Sequence, residues 1–511
     1  MTEAVPDRPR RPAPSSWRLW WGLLVAAGVL YLATAQRGPA WQDSGLFQWR
    51  MHTADWDGHM GLALAHPLLI ALGRAAERVP LGSVFWRMNA VSALAAAVAV
   101  ANLGLLVRRL GPSGRIGPLF AAGAFALAHT PWWLATITES HAVLAALLSG
   151  ELLVLTSLLA RPRLSMAALL GLLNGLGLAV HNLALLAAPA YGLAVVLLAA
   201  RRRLRWPAVP LFVAGWAAGA SPLLVLVAAQ ALRTTLPAAL ASALTGGRSF
   251  AALASAPKAA ALGLGYVLYN FPNACLPLAA VGLWRLRRRA GAPLAAAVAW
   301  LLAAHLLFAL THNVRDQFMF FVPLYLLLSL AAGAALAELG AGRRWLRVVA
   351  LASLAVGPVA YALAPRAVRA AELPLPGRER TLPRRDHARY WLTPWKHDED
   401  SAGQFAAAAL AQLGELEGPA ILFADGTSLW PLRWTRELAG GPPGDVRLVG
   451  TGGGLAARLA RDPRAFWREV RDTGASVWVV SNVPGYFPAP LAGRVAEERT
   501  GVLYRVRTPP E

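Results

Sequence analysis

Gly38-Pro39-Ala40-Trp41-Gln42-Asp43-Ser44-Gly45-Leu46-Phe47 follows directly on the first apolar run of the chain. It puts a carboxylate, Asp43, a few residues beyond a segment long enough to cross a membrane. A polar stretch bearing Trp and His continues to about Pro80, and a new apolar run opens near Trp86. A charged loop strung between two such runs lies at a bilayer surface, and an ionisable group there marks a functional region by default. The loop 37–85 is taken as the floor of that region and the remaining spans as what positions it.

Composition agrees. The chain has 511 residues, 56% of them hydrophobic and only 15% charged, a balance that excludes an ordinary soluble globule and fits a polytopic α-helical membrane protein. The net charge of +22 would suggest nucleic acid in a soluble chain. Here the arginines cluster between apolar runs, where they act as a topology signal, so no nucleic-acid partner is expected and the lipid bilayer is the first partner. The single cysteine, Cys275, lies in an apolar run, which excludes an intrachain disulfide and a thiolate metal site.

Residues 1–16 are rich in Pro and Arg, without periodicity, and are expected to form a disordered cytoplasmic tail. Ala33-Thr34-Ala35 resembles a small-residue cleavage site, but the apolar run before it is long and many spans follow, which favours an uncleaved first helix. Eleven spans are expected: 17–36, 86–107, 117–135, 138–160, 165–180, 182–200, 208–229, 259–283, 293–311, 319–339 and 347–364. Only His181-Asn182 separates the fifth from the sixth. Keeping them apart puts every dense arginine cluster (108–115, 161–163, 201–205, 285–289, 343–347) on one side, as the positive-inside bias requires. The acidic residues Asp43, Asp55, Asp57, Glu77, Glu139 and Asp316 then fall on the other side. The N-terminus is expected to be cytoplasmic and everything after the last span to lie outside, on the periplasmic face of a bacterial inner membrane.

Within the first loop, 61–80 carries His66, Arg74, Glu77 and Arg78 and is expected to form an interfacial helix, with Pro67 in its first turn. The body 17–364 is followed by a linker (365–400) and then by a soluble α/β domain (401–511). Strands are expected at 420–424, 446–449, 476–481 and 501–506, with helices at 402–413, 428–438 and 455–472. Gly450-Thr451-Gly452-Gly453-Gly454 lacks a Walker lysine and Rossmann spacing and reads as a plain turn.

Several short motifs carry a resemblance. Asp43-Ser44-Gly45-Leu46, His66-Pro67-Leu68, Leu81-Gly82 and Trp86-Arg87-Met88-Asn89-Ala90-Val91-Ser92 occupy the first loop and second span. Glu139-Ser140-His141, Gly175-Leu176-Gly177 leading to His181, and Arg315-Asp316-Gln317-Phe318 ahead of Phe321-Val322-Pro323-Leu324-Tyr325 follow. Pro394-Trp395-Lys396 and Phe423-Ala424-Asp425 close the set. Together they resemble the GT-C superfamily of membrane glycosyltransferases, most closely the protein O-mannosyltransferase-like family whose first loop reads Asp-Ser-Gly-Glu. Here the Glu is Leu46 and the family's Pro-Pro-Gly after His66 is absent, so one loop carboxylate stands where relatives have two.

The resemblance implies transfer of a mannose-like sugar from a polyprenyl-phosphate donor to a hydroxyl of a protein or glycan acceptor, with no cofactor. A lipid phosphate leaves readily, so the main catalytic need is a base for the acceptor hydroxyl, and Asp43 is expected to fill it, with Glu139 as a second acid/base. Arg87 and Arg315 are expected to meet the departing phosphate, since planar guanidinium groups suit its oxygens. Asn89, His66, His141, His181, His312 and Asp316 are expected on the substrate side. No His-Glu-x-x-His or related spacing points to a metal. Glu151 reads as a packing residue. The rival expectation is a non-catalytic membrane protein, a lipid-linked-sugar transporter or a binding relative. Leu46 and the absent Pro-Pro-Gly are its support; Glu151 and the Tyr269-Asn270-Phe271-Pro272-Asn273 break are its transporter-like features, and no internal repeat accompanies them.

Overall fold

The computed structural model describes residues 14–58, 61–110, 114–246, 257–312, 314, 316–375, 380–441 and 445–509. Most of the expected tail and Arg315 therefore lie outside the described residues. Among those described, eight helical segments are long and apolar enough to cross a membrane: Ser16–Thr34, Val84–Leu110, Ser140–Ala160, Asn182–Ala200, Ala208–Arg233, Cys275–Thr311, Gln317–Leu339 and Arg344–Ala370. Ile116–Ala126, Leu164–Val180 and Leu236–Thr245 are shorter apolar helices. The protein is an integral, multi-pass membrane protein.

Several expected spans are broken, each for a local reason. The run 117–135 forms Ile116–Ala126 and His129–Ala135. The run 259–283 stops at Asn270 and restarts at Cys275. Pro272 cannot donate a backbone bond and pushes Phe271 out of helical geometry; Asn273 Oδ1 then accepts from Cys275 N at 2.9 Å, opening the next helix. That helix bends at Gly291, whose φ of 76° is open to glycine, between two of the expected spans. The last span divides into Arg344–Ser353 and Val356–Ala370, and Pro365 sits inside the second helix instead of ending it. The first helix begins at Pro14, inside the stretch expected to be tail.

Close helix packing follows from small residues. A Cβ on Gly171 would lie 2.0 Å from the Phe212 carbonyl oxygen, and one on Gly219 would lie 2.2 Å from that of Leu172. The Leu164–Val180 and Ala208–Arg233 helices therefore touch backbone to backbone, the close approach that small residues four apart allow.

Two elements of the loops have no counterpart among the expectations. Leu236–Thr245 is a helix capped by the Thr235 side chain, which accepts from Ala238 N. Gln42–Thr53, in the first loop, is a helix with Ser44 to Gln48, Arg50 and Met51 all buried. It is buried on nearly every side, polar residues included, so it carries no apolar stripe. Within the expected 61–80 segment the helix is Pro67–Glu77, with Pro67 in its first turn.

The C-terminal region is a four-stranded sheet ordered β2-β1-β3-β4, with β1 at Ala420–Ala424, β2 at Val446–Gly450, β3 at Ser476–Val479 and β4 at Tyr504–Arg505. β1 pairs in parallel with β2 and β3, and β4 runs antiparallel to β3. The helix expected at 455–472 is two, Gly454–Arg461 and Pro463–Thr473; Asp462 caps the second, accepting from Ala465 N at 2.9 Å. The glycine run is a turn, with Gly453 N donating to Gly450 O at 2.8 Å. Ile421 and Phe423 pack with Phe466 and Trp467 on one face of the sheet. Ala420, Leu422 and Ala424 join a core containing Ala402, Phe405 and Trp41, which is continuous with the helical body. Direct bonds seal that junction. Gln42 N donates to Thr427 O at 3.1 Å and Lys396 N to Thr34 O at 2.8 Å. Trp41 Nε1 donates to Ser401 Oγ at 2.9 Å, and Thr136 Oγ1 to Pro394 O at 2.8 Å.

Candidate active site

Asp43 sits in the first turn of the Gln42–Thr53 helix, half-buried, where the unpaired N–H groups of a helix start favour a negative charge. The chain enters this turn through Gln42 at a φ of 58°, a conformation a non-glycine residue holds only when its surroundings impose it. Gly45 explains one position of the motif: a Cβ there would lie 2.2 Å from the Ala40 carbonyl oxygen. Gln48 Oε1 accepts from Ala40 N at 3.0 Å and closes the turn from below.

Three carboxyl groups from distant parts of the chain converge. Ser44 Oγ donates to Glu139 Oε1 at 3.4 Å, and Glu139 N donates to Ser92 Oγ at 2.9 Å. Glu139 is almost wholly buried at the start of the Ser140–Ala160 helix. Burial, then the charges of Asp316 and Glu139, push the Asp43 carboxyl up to about 8. Burial and then Asp316 push Glu139 up to about 8, against the backbone N–H of Ser140 and the Ser44 hydroxyl, which favour its charge. Asp43 thus feels the charges of Asp316 and Glu139, and Glu139 feels that of Asp316. No described residue hydrogen-bonds the Asp43 carboxylate.

The expected histidines also come together. His66 and His181 stack with ring centroids 5.4 Å apart, and His181 lies 4.7 Å from His141. Phe320 contacts His141, His181 and His312 edge-on, at 5.6, 5.9 and 5.0 Å. His66 Nδ1 donates to Val180 O at 2.5 Å, and burial keeps its ring neutral, its pKa pushed down to about 3. His141 Nδ1 lies 3.8 Å from Glu139 Oε2, and both of its ring nitrogens are buried without a hydrogen bond. Among the described residues no group of three or more His, Cys, Asp or Glu could hold a metal ion.

Asn89 lies inside the scaffold beneath this site. Its Oδ1 accepts from Thr138 Oγ1 at 2.6 Å and Gln48 Nε2 at 3.2 Å, and its Nδ2 donates to Gln36 O at 2.8 Å. With its amide engaged by protein, Asn89 positions the first loop. Arg87, two residues earlier and about 200° around the same helix, donates to Val79 O and holds the turn before its own helix. The structure does not bring it to the carboxylates. Glu151 accepts from Asn174 Nδ2 at 3.4 Å, deeper in the body, as a packing residue.

Sequence reasoning missed three contributors. Arg50 is buried and donates to four carbonyls, those of Asp55, Leu64, Trp56 and Ala65, at 3.0, 2.7, 3.0 and 2.8 Å. It shapes the whole first loop; nothing distinguished it from other loop arginines until the helix around it was known. Arg385 lies with its guanidinium 4.4 Å above the Tyr390 ring, facing Trp41 and Trp391 at 5.8 and 5.6 Å. The charges of Arg385, Asp316 and Glu139 all reach Tyr390. Lys396, quoted above only as part of a motif, is buried with its ammonium donating to the carbonyls of Tyr390 and, at 2.9 Å, Thr393. Burial pushes it down to about 7.

The fold of this helical membrane body with its C-terminal α/β region is shared with solved structures of membrane proteins. ArnT from Cupriavidus metallidurans bound to undecaprenyl phosphate shares it at a TM-score of 0.59, with 15% identity over 97% of this chain and 98% of that one. Its apo state superposes at 0.58, with 17% identity over 91% and 94%. The arabinofuranosyltransferase AftD from Mycobacteria matches at 0.51, with 16% identity over 99% of this chain and 41% of that one. Residues 61–204 match the family model described as the protein O-mannosyl-transferase TMEM260 N-terminal domain. No curated protein matches the chain in sequence.

Proposed function

We propose that this protein is a glycosyltransferase that moves a mannose-like sugar from a polyprenyl-phosphate donor to an acceptor hydroxyl, with Asp43 as general base. The observation that carries this reading is the convergence of Asp43, Glu139 and Asp316, with the Asp43 carboxylate free of hydrogen bonds among the described residues. Asp43 takes the proton of the acceptor hydroxyl; the oxygen bonds to the anomeric carbon; the bond from that carbon to the lipid phosphate oxygen breaks, and the phosphate leaves with the electron pair. The anomeric centre inverts. Arg385, and Arg315 beside Asp316, are assigned to the phosphate, because a fixed guanidinium matches its oxygens in pairs. The acceptor is a protein or glycan, and the C-terminal α/β region contributes to its recognition and to the exclusion of water. The site faces the periplasm of a bacterial inner membrane, with the N-terminus cytoplasmic. Support comes from the fold shared with ArnT, whose structure holds undecaprenyl phosphate, and from the O-mannosyl-transferase match over 61–204.

The test is a panel of radiolabelled polyprenyl-phosphate sugars given to membranes containing the full chain and its Asp43→Asn variant. Transfer or hydrolysis of one donor by the wild type, reduced about 10²–10⁴-fold in the variant with donor binding retained, is the expected result. No label movement from any donor would overturn the proposal and favour a binding protein. A variant as fast as wild type would move the base to another residue.

A further inference from the structure

On the face of the His387–Leu392 helix that carries Asp386 and Arg389, a cavity of about 400 Å³ opens against the end of the last membrane helix. Arg366, Arg369 and Arg389 line it with Asp386, and Pro365 and Trp395 form part of its apolar wall. Arg369 pairs with Asp386 and Arg389 with Asp398. Among the described residues no carboxylate pairs with Arg366. The lining therefore carries three cations against one anion, and one cation without an ion pair. Directly below it, Val356, Val359 and Leu363 on the Val356–Ala370 helix are each about half exposed. Their spacing of three and four residues, continued by Arg366, puts one apolar stripe and the unpaired guanidinium on the same side of the helix.

An arginine that only snorkels to the membrane surface needs no cavity. Here an apolar stripe meets, at Arg366, a half-open, net-positive hollow with apolar walls, a shape complementary to an anionic head joined to a hydrocarbon tail. We propose that this cavity is a binding site for the phosphate head of an anionic membrane phospholipid, its acyl chain lying along Val356, Val359 and Leu363. Arg366 provides the principal contact, and Arg369 and Arg389 widen the positive field. The site is separate from the Asp43 carboxylates and does not depend on transfer activity. The bound lipid fills the groove between the last membrane helix and the segment 387–395 that leads into the C-terminal region, and so secures that junction.

The experiment uses the full chain, purified in detergent and examined by native mass spectrometry with added phosphatidylglycerol, phosphatidylcholine or inorganic phosphate. Three forms are compared: wild type, Arg366→Gln, and Arg344→Gln as a control of equal charge at the start of the paired helix. Wild type and Arg344→Gln are expected to retain phosphatidylglycerol in preference to phosphatidylcholine, and Arg366→Gln to lose about fivefold in its affinity for phosphatidylglycerol. Arg366 is exposed, so the substitution leaves the fold intact, which equal melting temperatures will verify. Undiminished binding by Arg366→Gln, equal loss in Arg344→Gln, or equal retention of the two lipids would each overturn the proposal. Displacement of the lipid by millimolar inorganic phosphate would also overturn it, in favour of a site for the free ion.

Discussion

The Ser44 hydroxyl donates to Glu139 at 3.4 Å and so ties the first loop helix to the start of a membrane helix almost a hundred residues later. Through it, the loop carboxylate Asp43 is held within electrostatic reach of Glu139, whose charge makes Asp43 harder to ionise.

That coupling sets the pH response. A general base works as the carboxylate, so kcat/KM should rise with pH and level off above about 8, where Asp43 has lost its proton. Glu139→Gln removes a negative neighbour, so Asp43 should ionise more easily and the acid limb should move to lower pH. A pH profile of both forms measures it; an unmoved limb means that the two carboxyls are not coupled. Stability runs the opposite way. The folded chain holds these protons more tightly than the unfolded chain, so the contribution is fullest below the ordinary carboxylate range and is lost as pH rises towards 8.

Gly45→Ala should impair the site without touching a charge. The added methyl would sit 2.2 Å from the Ala40 carbonyl oxygen and 3.1 Å from Trp430 Cβ, and backbone cannot yield as a side chain can. We expect turnover to fall at least about tenfold as Asp43 is displaced, together with faster proteolysis of the first loop. Wild-type turnover in this variant would show that the turn adapts.

Arg50→Ala should destabilise the fold by about 2–4 kcal/mol, because four carbonyls lose their donor in a buried loop. Thermal melting in detergent measures this. Arg50→Lys should recover little, since an ammonium cannot reach four acceptors in the plane that the guanidinium spans.

Asp425→Asn should cost about 3–5 kcal/mol, the expected loss when one member of a buried ion pair is neutralised. Arg380 grips Asp425 through two bonds, at 2.7 and 2.9 Å, and Ser428 Oγ adds a third at 2.8 Å. Burial opposes the charge, but the Arg380 bonds, the Ser428 hydroxyl and Thr427 N outweigh it and hold the carboxyl below its usual range. The stability it confers is present above the unfolded carboxylate range and disappears as pH falls through the lowered folded value. Melting curves from pH 7 to pH 3 should show this loss in wild type and not in Asp425→Asn.

Much of the membrane body was legible because spans announce themselves by unbroken apolar length, although the expected span 259–283 ran through the break at Pro272. The Gln42–Thr53 helix was not legible. It is packed on nearly all sides by other elements, so its polar residues are as buried as its apolar ones and no period emerges. His66, His141, His181 and His312 were expected at one end of the body, and the structure adds that their rings touch in sequence through Phe320. Asn89 and Arg87 show the limit of motifs: residue type and spacing do not say which way a side chain faces on its helix. Arg385 was invisible because its neighbours, Trp41 and Trp391, are remote from each other along the chain.

The bond from Gln42 N to Thr427 O, and that from Trp41 to Ser401, join the beginning of the chain to its last quarter. During synthesis the loop helix that bears Asp43 emerges early, yet Trp41 Nε1 and Gln42 N in its entrance turn wait for partners until Ser401 and Thr427 have been made. A ribosome that stops short leaves a membrane body with an unclosed loop. The turn that carries Asp43 is thus completed only once the chain has been made through Thr427.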